Sequence, residues 1–200
     1  MKRVALAATL PSLLLVAAAQ AATLIHAGRL IDGVTASVKT QQTVVVDDGK
    51  ITAIEAGFRA PGAGDRVIDL SKGTLLPGFI DTHVHLEAET SRRSEIEGYT
   101  LNEADRAIDS VVFADRTLLA GFTTVRDLGD SDGAVIALAR AVNAGKVPGP
   151  RIIAAGKPIG STGGHADPTN GWARFLDPVG DYADAVVDSP DAARKAVRLR

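Results

Sequence analysis

From Pro77-Gly78 onward, short apolar runs alternate with stretches of helical spacing, and no other feature narrows the fold as much. Phe79 to Leu86 predicts a strand, and residues 87–99 are polar and read as loop. Ala104, Ala107, Ile108, Val111, Val112, Leu118 and Leu119 then recur at helical spacing, with a capping box at Thr100-x-x-Glu103 ahead of them and Gly121 behind. Phe122 to Arg126 predicts a second strand, and Ser131 is placed to cap a second helix, Ala134 to Ala144, closed by Gly145. Arg151 to Ala155 predicts a third strand. A Gly-, Pro- and Asp-rich loop follows, and Ser189-Pro190 opens a third helix with Pro at its first position. Such repetition demands parallel strands joined by right-handed crossovers. A doubly wound sheet and a (β/α)₈ barrel both satisfy it. A barrel takes about 250 residues, so Pro77 to Arg200 suffices for about three of its eight units. The helical pattern still runs at Arg200, and the sequence is expected to be the front part of a longer protein or a truncated product.

Residues 22–76 carry a different pattern. Leu24 to Ile31, Val44 to Val46, Ile51 to Ile54 and Val67 to Leu70 are β-rich runs. Asp47-Asp48-Gly49-Lys50 between two of them signals a hairpin, and Lys72-Gly73 a turn. These residues predict a small β domain. Residues 1–21 read as a secretory signal peptide: Met1-Lys2-Arg3 is basic, Val4 to Ala19 is mostly apolar, and Ala19-Gln20-Ala21 is an A-x-A cleavage site. Export to the periplasm or the medium is expected, leaving no membrane association. Loss of Lys2 and Arg3 takes the formal net charge from −2 to −4, which gives nucleic acid no basic surface. The chain has no cysteine, which excludes disulfides, a thiol nucleophile and Cys-ligated zinc.

The chemistry concentrates in Asp81-Thr82-His83-Val84-His85. Residues two apart on a strand share a face. His83 and His85 therefore point one way and can converge on one metal, at Zn–N distances of about 2.0–2.1 Å. Asp81 has the same parity and is placed to accept a hydrogen bond from one ring N–H. The end of the first strand of a barrel is where active sites sit. Arg126 and Asp127 end the second strand, and there the simpler role is an ion-pair or hydrogen-bond anchor in the barrel wall. Trp172, Phe175 and Tyr182 suit packing of the long loop, Arg92-Arg93 suits solvent, and His26 a structural role.

Leu75-Leu76-Pro77-Gly78-Phe79-Ile80-Asp81-Thr82-His83-Val84-His85 resembles the first-strand signature of the amidohydrolase superfamily. Residues 22–76 resemble its composite β domain, and Gly121-Phe122-Thr123-Thr124-Val125-Arg126-Asp127 resembles its second strand. Pro150-Arg151-Ile152-Ile153-Ala154-Ala155-Gly156, followed by Thr162-Gly163-Gly164-His165-Ala166-Asp167, resembles the branch of Xaa-Pro dipeptidases and imidazolonepropionase-like enzymes. The resemblance implies an α/β fold, the N-terminal part of a (β/α)₈ TIM barrel preceded by a small β domain. It implies one or two divalent metals, usually zinc, with His83 and His85 as ligands and His165 bordering the substrate. The family's other ligands, a carbamylated lysine, two histidines and an aspartate, lie on later strands and match no residue here. The implied reaction is hydrolysis of a C–N bond in a small amide such as an Xaa-Pro dipeptide, by metal-activated water. Cyclic amides and N-acyl amino acids are alternative substrates. A non-catalytic truncated fragment is the other alternative, and the 200 residues alone are expected to be inactive.

Overall fold

The computed structural model describes residues 21–130, 133–167 and 186–200. Almost all of the signal-peptide reading, together with Ser131, Trp172, Phe175 and Tyr182, lies outside them. The chain forms two compact units that divide between Pro77 and Gly78.

The first unit is a four-stranded sheet built from β1 (Thr23–Leu30), β2 (Lys39–Asp47), β3 (Lys50–Ala56) and β4 (Arg66–Leu75), in the order β3-β2-β1-β4. β1 pairs antiparallel with β2 and parallel with β4. The β2–β3 hairpin turns at Asp48 and Gly49, both with positive φ (47° and 70°), as its Asp-Gly predicts. β4 continues through the turn expected at Lys72-Gly73 and absorbs it as a register shift opposite Ala27 and Arg29. There the Ser71 carbonyl lies so close over Gly28 that a Cβ would collide with it. Ala27, Leu30 and Val44 form the small core of this unit.

The second unit holds β5 (Phe79–Val84), β6 (Phe122–Asp127) and β7 (Arg151–Ala154), all parallel and in that order. Its helices are α1 (Ser94–Thr100), α2 (Glu103–Leu119), α3 (Ala134–Asn143) and α4 (Pro190–Leu199). Val125 of β6 and Ile152 of β7 pack with Ala114 of α2 and with Val135 and Leu138 of α3, so both helices cover one face of the sheet. Three parallel strands with crossover helices are the first part of a (β/α)₈ barrel.

Several local expectations change. α1 begins within the stretch 87–99 read as loop and has no apolar stripe to announce it: Ile96 and Tyr99 are both exposed. Thr100 closes α1, its hydroxyl donating to the Ile96 carbonyl at 3.0 Å, so it does not cap α2. The box belongs to Asn102 and Asp105, where the Asn102 N–H donates to the Asp105 carboxylate at 2.9 Å. The covered face of α2 runs through Ala107, Ser110, Val111, Ala114 and Leu118, while Ile108, Val112 and Leu119 are exposed. The N-cap of α3 is Gly133 rather than Ser131. The buried Asp130 carboxylate serves its free N–H groups, accepting from Val135 at 2.7 Å and from Gly133 at 3.3 Å. α4 starts as its sequence predicts, with the Ser189 hydroxyl accepting from the Ala192 N–H at 3.2 Å.

Gly28→Ala should destabilise the first unit by about 1–3 kcal/mol, because the backbone of β4 has to move. A urea midpoint equal to that of the unsubstituted protein would contradict the close approach.

Candidate active site

β5 leaves the ladder at Val84, two residues before the strand end read from the sequence. Its alternation splits the neighbouring side chains. Val84 packs against the core beneath the helices, whereas His83 and His85 stand together on exposed backbone. Their ring centroids are 5.4 Å apart and their planes meet at 67°, so the strand presents two imidazoles side by side. Asp81, on the same face, accepts the backbone N–H of His83 at 3.0 Å through Oδ1 and not the ring N–H expected of it; the ring acceptor is a backbone carbonyl instead. Arg126 of β6 donates through Nε to the Thr82 carbonyl at 2.8 Å and ties the two strands together next to the pair. That is the wall-anchor role suggested by its position.

The His85 ring is oriented from behind. Its Nδ1 lies 3.0 Å from the Gly129 carbonyl oxygen. A carbonyl can only accept, so Nδ1 carries the proton and the neutral ring keeps its lone pair on Nε2. A backbone carbonyl behind a ligand imidazole is a recurrent feature of metal sites. The Gly129 turn is itself held by Asp127, which is fully buried. Asp127 accepts from the Leu86 N–H at 2.7 Å and from the Gly129 N–H at 3.1 Å. Burial pushes its carboxyl above the usual carboxylate range, against the opposing effect of the two N–H donors and the nearby His85. The Gly129 carbonyl went unread in the sequence because a backbone acceptor has no residue signature.

Beyond the C-terminal ends of the strands lies a cavity of about 590 Å³. His83 and His85 line it together with His165, so the structure gathers all three histidines singled out in the sequence. Lys157 and Arg200 add cationic side chains, and Leu128, Pro158 and Ile159 add apolar wall. His165 sits in a tight turn in which Gly164 N–H donates to the Ser161 carbonyl at 2.9 Å and Asp167 N–H to the Gly164 carbonyl at 3.1 Å. The imidazole pair suits zinc, and one ring is already fixed as the tautomer a metal needs. Among the described residues no group of three or more His, Asp or Glu stands close enough to hold a metal by itself. His83 and His85 therefore fit as part of a ligand set.

His83→Ala should leave far-ultraviolet circular dichroism unchanged and remove most of the zinc measured by atomic absorption after dialysis. Unchanged zinc content would separate the histidine pair from metal binding.

The chain is similar to several known proteins. The sequence profile of the amidohydrolase family matches residues 74–200. A crystal structure of an Xaa-Pro dipeptidase with methionine bound in its active site is 42% identical and superposes with a TM-score of 0.80, over 89% of this chain and 44% of that one. A prolidase complexed with N-methylphosphonate-L-proline is 31% identical with a TM-score of 0.71, over 89% of this chain and 43% of that one. Ochratoxinase from Aspergillus niger is 27% identical over 199 residues, 77% of this chain and 40% of the relative. The chain thus spans less than half the length of these relatives. The match over residues 74–200, more than half of the chain and including all three parallel strands, shows that the chain belongs to the amidohydrolase family.

Proposed function

We propose that the protein is an exported, metal-dependent hydrolase that cleaves the C–N bond of a small carboxylate-bearing amide such as an Xaa-Pro dipeptide. The observation that carries this reading is the convergence of His83, His85 and His165 on one cavity at the C-terminal ends of parallel strands. The likeness to the Xaa-Pro dipeptidase, at 42% identity, supports the substrate class. Export rests on residues 1–21.

His83 and His85 would hold the cation, zinc by the chemistry of the donors. A bound zinc supplies Lewis acidity, which activates water and polarises a carbonyl. His165 reaches the cavity from the β7 side and is placed to donate a hydrogen bond to the substrate carbonyl or carboxylate. The Arg200 guanidinium is anchored by its Nε on the Lys157 carbonyl at 2.7 Å and brings positive charge to the cavity wall. No carboxylate lines this cavity among the described residues. Leu128, Pro158 and Ile159 give the cavity an apolar wall that suits a small apolar side chain. This cationic lining favours dipeptides and N-acyl amino acids over neutral cyclic amides.

The test uses protein isolated from its natural host, assayed on Xaa-Pro dipeptides, N-acyl amino acids and cyclic amides before and after chelation. Turnover of an Xaa-Pro dipeptide that disappears with chelator and returns with zinc is expected. Turnover indifferent to chelator, or confined to neutral cyclic amides, would contradict the proposal.

A further inference from the structure

We propose that Asp127 is a positioning residue that sets the tautomer and direction of the His85 imidazole. Its two carboxylate oxygens hold the two ends of one arrangement. Oδ2 accepts from Leu86, the residue that directly follows His85, at 2.7 Å. Oδ1 accepts from Gly129 at 3.1 Å, and the Gly129 carbonyl receives the His85 Nδ1–H at 3.0 Å. One side chain thus fixes both the backbone that carries the imidazole and the acceptor that aims it. Asp127 is immobilised in turn: its carbonyl accepts the Ala155 N–H at 2.9 Å, its residue pairs with Val84 and Ala154 in the ladders, and its side chain is fully buried.

The bond to Gly129 alone would be an ordinary aspartate turn. The second bond, to Leu86 across the strand end, ties that turn to His85. Loss of the Gly129 acceptor would release the ring to the tautomer that histidine prefers in water, with the proton on Nε2. The lone pair would then leave the cavity side. The inference rests on the reading of His85 as a metal ligand, and its test reads the imidazole separately from the metal.

The experiment is ¹⁵N–¹H correlation of the histidine rings in metal-free protein, paired with zinc affinity from competition with a chromophoric chelator. Native His85 should carry its proton on Nδ1. Couplings across the hydrogen bonds from the Leu86 and Gly129 amides to the Asp127 carboxyl carbon should be detectable without any substitution. Asp127→Asn retains the shape but only one acceptor oxygen, and should shift His85 toward the Nε2–H form and weaken zinc binding about 10-fold. Asp130→Asn alters a second buried carboxylate, one that accepts from Gly133 and Val135 and not from Leu86 or Gly129, and should leave the His85 tautomer and zinc affinity unchanged. A native Nε2–H ring, absent couplings, or an Asp127→Asn protein that is less stable but keeps its tautomer would overturn the inference. A tautomer shift in Asp127→Asn together with native protein that takes up no zinc would support Asp127 as the positioning residue and remove the metal reading.

Discussion

The mouth of the parallel strands depends on one buried carboxylate. A β-strand that leaves its ladder exposes N–H groups that must find acceptors. Where β5 and β6 end, two of these, on Leu86 and Gly129, converge on Asp127. Burying the carboxylate has a cost, visible in the upward displacement of its ionisation. The two charge-assisted hydrogen bonds offset that cost and hold His85 within reach of the Gly129 carbonyl.

The rest of the second unit supports this point through ordinary packing. Val125 and Ile152 present one face of the sheet to α2 and α3, and the strand period sends His83 to the opposite face. Parallel pairing brings the C-terminal ends of β5, β6 and β7 to one side. The loops that follow them deliver Leu128, Lys157 and His165 to the cavity that receives the histidine pair. Asp130 repeats the carboxylate device at the start of α3, so two adjacent loop positions are fixed by buried side-chain acceptors. Among the described residues no buried side-chain nitrogen or oxygen lacks a partner.

What was legible in the sequence followed from periodicity and turn chemistry. The strand–helix alternation after Pro77 and the shared face of His83 and His85 are repeats of fixed period, and the hairpin at Asp48-Gly49 came from the turn chemistry of its Asp-Gly pair. The features that escaped depend on contacts without a period. α1 is short and exposed, the α3 cap comes from Asp130 three residues ahead of Gly133, and β4 passes through Lys72-Gly73 because Gly28 lets a neighbouring carbonyl in. Helical spacing in α2 was plain, but its covered face was set by packing against β6 and α3, which a list of apolar residues does not encode. At the site, the histidines announced themselves, while the carbonyl that orients one of them could be seen only in three dimensions.

The central claim is that the His83–His85 pair seats a metal. Anomalous diffraction at the zinc absorption edge, from crystals of the protein grown with zinc, addresses it directly. We expect the strongest peak about 2.0–2.1 Å from the Nε2 atom of His85, and at the same distance from an imidazole nitrogen of His83. A strongest peak elsewhere, for instance beside Glu87 and Glu89 in the acidic cavity near α1, or no peak at the pair, would contradict it.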